Sequence, residues 1–402
     1  MDSIIFNSYK IGGMTLRNRI VRSATFEGAA DENGNPNSKY IALYKSLAEK
    51  QVGMIITGFA FVSGNGRAMQ RAQAGIDTSK KILSYRKITD EVHKHNVPII
   101  LQIAHSGRQT IKKVTNSKII SSTKKSSVYF RQKPSLINDS EIEEVIMQFS
   151  NAAYLAKEAG FDGVQIHAAH GYLLHQFLLP ETNVLKNKYG IDKKTHLGIK
   201  LLEEIFDSIK AGCDNSFPVL VKISGDHNLG SNFFPDQFDH LISFLDGKHF
   251  DAIEISYGTM DYAINIFRGD LDLELVFKHN PIFLTDNPIK KYLMKFYINT
   301  FISSRFIDFS PAYNLRYAER AKQLTTIPVI SVGGFRSKFE IENAINNKQT
   351  DLVGMARPFI CEPDFAEKLA ATDGDYKSRC INCNKCVFMC DSGKPTICYS
   401  KG

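Results

Sequence analysis

The feature that most restricts the fold is a series of eight short apolar runs spread along the 402 residues. They are Arg19–Ala24, Gly53–Thr57, Pro98–Ile103, Asp162–His167, Pro218–Ile223, Asp251–Ser256, Pro328–Val332 and Asp351–Met355. Each is rich in Val, Ile or Leu and too short for a buried helix. The apolar character is continuous rather than alternating, which suits parallel strands covered on both faces. Helical patterns fill the intervals. The clearest covers Ser140–Ala159. Ser140 and Glu143 have capping-box spacing, Ile142, Val145, Ile146, Phe149, Ala153 and Ala156 share a face, and Gly160 ends the run. Weaker patterns lie at Lys39–Lys50, Ser84–His95, Leu197–Ala211, Asp236–Leu245, Tyr313–Leu324 and Lys338–Asn346. This alternation predicts an α/β fold, a closed (β/α)8 TIM barrel over residues 1–370. An open doubly wound sheet would want a Gly-rich first turn, and none is present.

Two stretches break the rhythm: the polar Ser106–Asn138 after strand three, and Gly258–Pro311, with many Phe and Tyr, after strand six. Insertions of this kind sit on the active-site face of a barrel and shape a substrate pocket. Apolar residues at 43% allow a large core. The net charge of +8 suits phosphorylated ligands. Without an Arg-rich tract interleaved with aromatics, no nucleic-acid partner is expected. The start of the chain lacks a secretory pattern, and no run of 18 apolar residues occurs, so a cytoplasmic protein without a membrane partner is expected. Seven cysteines are present, five of them in the last 23 residues. Residues 371–402 therefore read as a cysteine-rich tail, with metal ligation expected before disulfides.

Catalytic groups of a barrel gather where its strands end. The ends supply Ser23-Ala24-Thr25, Thr57-Gly58, Gln102 with His105, His167 with His170, Lys222 with Ser224, Ser256-Tyr257, Gly333-Gly334 and Ala356-Arg357. Gly333 and Gly334 can bring backbone N–H groups close to a phosphate, with Arg357 as a charged clamp; the alternative is a plain tight turn. The segment from His167 to Phe177 is the sharpest signal. Two histidines three apart can address one acceptor, and Tyr172 follows as a phenolic proton donor. No nearby carboxylate completes a zinc set there. The other histidines, among them His93, His95, His196, His227, His240, His249 and His279, are expected at the surface or at helix ends, and Cys213 and Cys361 apart in structural positions.

Five motifs, in order and spacing, carry a resemblance over nearly the whole chain: Leu16–Val21, Leu101–Arg108, His167–Phe177, Val332–Gly334 and Gly354–Phe359. The sequence resembles the old yellow enzyme family of FMN oxidoreductases, in the branch of iron-sulfur 2,4-dienoyl-CoA reductase and trimethylamine dehydrogenase. The resemblance implies that Gln102 bonds the flavin pyrimidine ring and that Lys222 sets a cation beside it. Ala24, Thr25 and Gly58 would line the ring, and Gly333, Gly334, Ala356 and Arg357 would hold the phosphate. His167 and His170 would hold an enone carbonyl while Tyr172 protonates the α-carbon. Phe26 departs from the Thr or Cys that many members carry, which touches redox tuning. Ile191-Asp192 and Thr195-His196 depart from a Gly-Ser and an Asn-Arg, which touches packing.

In the tail, Cys380, Cys383 and Cys386 can be completed by Cys390, in a ferredoxin-like run, or by Cys398. The resemblance favours Cys380, Cys383, Cys386 and Cys398 as ligands of a [4Fe-4S] cluster, with zinc as the lesser alternative. With the chain ending at Gly402, the expectation is that NAD(P)H reduces the flavin directly or that a separate electron-donor protein does so, in a homo-oligomer. The expected reaction is reduction of an activated C=C bond in a small-molecule enone, enal or enoyl thioester. The competing readings are an amine dehydrogenase or demethylase, a tRNA dihydrouridine synthase-like enzyme, and a plain electron carrier.

Overall fold

The computed structural model describes residues 3–70, 72–227 and 236–400. Eight strands close into a parallel barrel: β1 (Ile20–Arg22), β2 (Met54–Ile56), β3 (Ile99–Ala104), β4 (Gly163–Ala168), β5 (Val219–Ser224), β6 (Ala252–Ser256), β7 (Val329–Val332) and β8 (Leu352–Met355). Each pairs with the next, and β8 pairs with β1 to complete the ring. All eight expected strands are present. One helix of the outer layer follows each: α1 (Ser38–Glu49), α2 (Ile82–His93), α3 (Asp139–Glu158), α4 (Lys200–Cys213), α5 (Gln237–Gly247), α6 (Leu315–Leu324), α7 (Lys338–Asn346) and α8 (Phe365–Ala371).

The start of α3 corrects the expected cap. The reciprocal box is made by Asn138 and Glu141, not by Ser140 and Glu143. Asn138 Oδ1 accepts from the Glu141 N–H at 2.9 Å, and Glu141 Oε2 accepts from the Asn138 N–H at 3.0 Å. Asn is at least as good a cap as Ser, and it stands at the point where the extended chain turns into the helix.

The barrel interior is layered. Its lower end is apolar: Val21, Met54, Ile56, Ile100, Leu220, Ala252, Ile330 and Leu352 pack against a hairpin, Tyr9–Ile11 with Met14–Leu16, that plugs the bottom. Side chains two apart along a strand share a face. One step above Ile100, Leu220 and Ala252 therefore come Gln102, Lys222 and Glu254, with Gln165 aligned beside Gln102. A second step brings Ser256 inward, and His167 lies in register with Lys222. The alternation thus converts an apolar floor into a polar upper layer.

Both insertions fold over that upper end. The first holds a short parallel pair, Ile120–Ser121 with Ser135–Leu136. The second carries helices at Leu273–His279 and Pro288–Tyr297. A buried ion pair, Arg108 to Asp261 at 3.0 Å, ties the two insertions together.

Candidate active site

A cavity of about 1000 Å³ opens above the polar layer. Ala24, Thr25, Gln102, His167, His170, Tyr172, Lys222, Gly333, Gly334, Ala356 and Arg357 all line it. Gly58 does not: its N–H donates to Glu27 Oε1 at 2.6 Å behind the wall, and Phe59 takes the lining position. His105 is likewise buried away from the cavity.

The floor is one buried hydrogen-bonded chain. Gln102 Nε2 donates to Gln165 Oε1 at 2.6 Å, and Gln165 Nε2 donates to Glu254 Oε2 at 2.8 Å. Lys222 Nζ stands 3.4 Å from the same Glu254 oxygen. With its amide nitrogen engaged, Gln102 offers the cavity an acceptor, Oε1. Lys222 offers a cation whose partner fixes it in place. Gln165 and Glu254 were not singled out in the sequence, although each lies two residues before a strand-end residue that was.

The wall carries the histidines and the phenol. His170 has φ +60° and Gly171 φ +75°. These two left-handed residues turn the chain so that His167, His170 and Tyr172 face one another. The His167 ring lies 5.0 Å from that of His170 and 4.9 Å from that of Tyr172, nearly perpendicular to both. The Ala169 N–H donates to His167 Nδ1 at 3.3 Å, which assigns the ring proton to Nε2. His170 Nε2 lies 2.8 Å from Ser256 Oγ. Burial, reinforced by their charged and imidazole neighbours, holds both imidazoles well below the usual histidine range, so both are neutral donors. Burial likewise raises the Tyr172 phenol, helped by the charge of Asp391 and by Cys390, so Tyr172 keeps its proton.

The opposite rim is cationic. Gly333 and Gly334 have φ +137° and +88°. A Cβ at Gly334 would stand 2.6 Å from the Ala312 nitrogen, so this turn requires glycine. Arg357 Nη1 donates to the Arg268 carbonyl at 2.9 Å and to Asn384 Oδ1 at 2.6 Å, and its Nη2 to the Phe267 carbonyl. Arg336, not foreseen, lines the same rim and bonds Asn382 of the tail.

The tail folds back over the barrel mouth and supplies wall residues that its cysteine spacing gave no hint of. Cys390 and Asp391 line the cavity. Asp391 accepts from Gln70 Nε2 at 2.8 Å and Asn280 Nδ2 at 2.6 Å, and burial pushes its carboxyl up to about 6. Two earlier expectations change. Cys361 is not apart: its free thiol neighbours the free thiol of Cys398. His227 is buried rather than at the surface. Cys386 has Cys380, Cys383 and Cys398 as electrostatic neighbours, and Cys390 Sγ, which donates to the Cys386 carbonyl at 3.3 Å, also faces Thr396. No three His, Cys, Asp or Glu side chains among the described residues converge closely enough for a single metal ion.

The donor set fits a flavin mononucleotide: a polar floor with an acceptor and a cation, apolar walls, and a glycine turn flanked by two arginines for a phosphate. The model of the NADH:flavin oxidoreductase / NADH oxidase family matches residues 4–256 and 292–374. The chain is 26% identical over 381 residues to an NADH oxidase of Thermoanaerobacter brockii, covering 94% of this chain and 52% of that one. It is 26% identical over 362 residues to an NADPH dehydrogenase of Clostridium acetobutylicum, covering 90% and 93%. It thus spans about half of the first relative and nearly all of the second. Among solved structures, the old yellow enzyme homologue from Zymomonas mobilis superposes with a TM-score of 0.72 at 20% identity, over 93% of this chain and 94% of that one. No helix among the described residues is long and apolar enough to cross a membrane. By the extent of the family match, the chain belongs to the NADH:flavin oxidoreductase / NADH oxidase family.

Proposed function

We propose that the protein reduces an activated C=C bond of a carbonyl compound, with FMN as cofactor and NAD(P)H as reductant. The observation that carries this reading is the convergence of His167, His170 and Tyr172 on one wall of a cavity whose floor is Gln102 and Lys222. Gln102 and Lys222 would hold the flavin ring, Ala24 and Thr25 would line it, and Gly333, Gly334, Ala356, Arg357 and Arg336 would hold the phosphate. When bound, the flavin supplies the hydride that reaches the β-carbon. His167 and His170 bind the substrate carbonyl as neutral donors and stabilise negative charge that grows on its oxygen in the transition state. Tyr172 then passes its proton to the α-carbon. Phe59, stacked on Tyr172 at 5.4 Å, holds the phenol ring in place and keeps water from it.

The four thiols Cys380, Cys383, Cys386 and Cys398 would hold a [4Fe-4S] cluster, while Cys390 belongs to the substrate wall. The reading of the reaction is tested by anaerobic rapid mixing. NADH or NADPH should bleach the flavin, and 2-cyclohexenone should restore its colour. If neither nucleotide bleaches it, a separate protein donor is required. If the enone never restores the colour, alkene reduction is the wrong reaction.

A further inference from the structure

The insertion after β6 leaves an unusual surface beside the cavity mouth. Its helix, Pro288–Tyr297, continues through a wider turn at Ile298–Ile302 and has no buried residue. Ile289 and Tyr292 are 71% and 69% exposed, and Leu293, Phe296, Tyr297 and Phe301 are about half exposed or more. At 100° per residue, Ile289, Tyr292, Leu293 and Phe296 fall within one arc. Lys291 and Lys295 lie on another, where both pair with Glu274. Leu293 and Tyr297 belong to two surfaces at once: they are exposed, and they line the cavity together with Lys290 and Met294. The apolar stripe and the active-site mouth are therefore continuous.

We propose that this stripe docks on the surface of an anionic lipid bilayer, with the cavity mouth turned toward the lipid. Monomeric proteins rarely leave so many large apolar side chains exposed together. Aliphatic and aromatic residues on one arc, with lysines beside it, are the pattern of a helix lying in a membrane interface. Charge decides between lipid and a second copy of the chain. From Pro288 to Arg305 there are Lys290, Lys291, Lys295 and Arg305 and no acidic residue, and Glu274, shared by Lys291 and Lys295, offsets one of these charges, so cations stay in excess. Twofold pairing would set these cations against their own copies, whereas an anionic surface attracts them. The family model matches residues up to 256 and again from 292, so the approach to this helix and its first turn lie outside the matched segments. The proposal concerns a surface and does not depend on the reaction assigned to the cavity.

Flotation of the flavin-loaded protein with vesicles tests it. Binding is expected to vesicles of phosphatidylcholine with phosphatidylglycerol, to weaken with salt, and to fall sharply without phosphatidylglycerol. The triple variant Ile289→Ser, Tyr292→Ser, Phe296→Ser alters no cavity residue and should bind at least about tenfold more weakly while keeping its flavin colour. A second variant, Tyr292→Asp with Phe301→Asp, should lose binding as well. No binding to the anionic vesicles overturns the proposal, as does equal binding by both variants. So does sedimentation showing a dimer that the triple variant dissociates, with no vesicle binding by the parent protein.

Discussion

The phenol ring of Tyr172 stands 4.9 Å from the imidazole of His167, nearly perpendicular to it. One residue pair thus places the proposed proton donor beside the proposed carbonyl-binding group, and the two can be separated by experiment. Tyr172→Phe keeps the ring packing against Phe59 and removes only the hydroxyl that carries the proton. It should slow reoxidation by an enone by about 10²- to 10⁴-fold and leave flavin reduction by NAD(P)H nearly unchanged. Rapid mixing of the two half-reactions checks this, and an equal fall in both would remove Tyr172 from the proton-donor role.

Glu254 is fully buried and faces Lys222 at 3.4 Å. Glu254→Gln leaves the Lys222 charge without its counterion inside the barrel. Breaking a buried pair from one side costs about 3–5 kcal/mol. Denaturant unfolding should show a loss of that order. An unchanged midpoint would mean that Lys222 has another counterion.

The fold was legible because its signals are local. Strand runs such as Gly163–Ala168 are continuous in sequence, and their order fixes the barrel. His167, His170 and Tyr172 were legible because one strand and one turn place all three. Gln165 and Glu254 could have been found by stepping two residues back from His167 and Ser256. Asp391, Cys390 and Arg336 could not. Their place depends on how the tail crosses the barrel mouth, a long-range packing result anchored by Asn382 and Asn384 on the two arginines. The cap at Asn138 was missed for a different reason: Ser140 with Glu143 offers the same spacing two residues later, and only the entry of the chain decides between them.

Three buried histidines, His105, His167 and His175, and the half-buried His170 beside them all have folded pKa values lowered by desolvation, to about 3 for His105 and His175. Below the unfolded value near 6.5 the unfolded chain takes up these protons and the folded chain does not. Stability is therefore present above about pH 6.5 and is lost as pH falls. At pH 5 the cost is about 2 kcal/mol each for His105 and His175. Asp391, raised to about 6, opposes this by about 1 kcal/mol over the same interval. Thermal unfolding between pH 7.5 and 5, roughly spanning that window, should show a falling midpoint. A rising midpoint would contradict the neutral state of these histidines.

Gly334 combines a φ of +88° with backbone at 2.6 Å from any added Cβ. Gly334→Ala should strain the turn by about 1–3 kcal/mol and displace the proposed phosphate cradle. The expected result is protein purified with much less flavin, measured as the ratio of flavin to protein absorbance. Full occupancy in the variant would move the phosphate elsewhere.

The two candidate thiol quartets, completed by Cys390 or by Cys398, are told apart by substitution. Cys398→Ser should abolish bound iron and sulfide, and Cys390→Ser should retain them, in anaerobically purified protein assayed for both. The opposite pattern would restore Cys390 to the ligand set.

The most direct test of the central claim is the amount of FMN released when the purified protein is denatured. The cavity built from Gln102, Lys222, Gly333, Gly334 and Arg357 predicts about one FMN per chain, or uptake to that level when FMN is added. A colourless protein that takes up none would contradict the assignment of that cavity to a flavin.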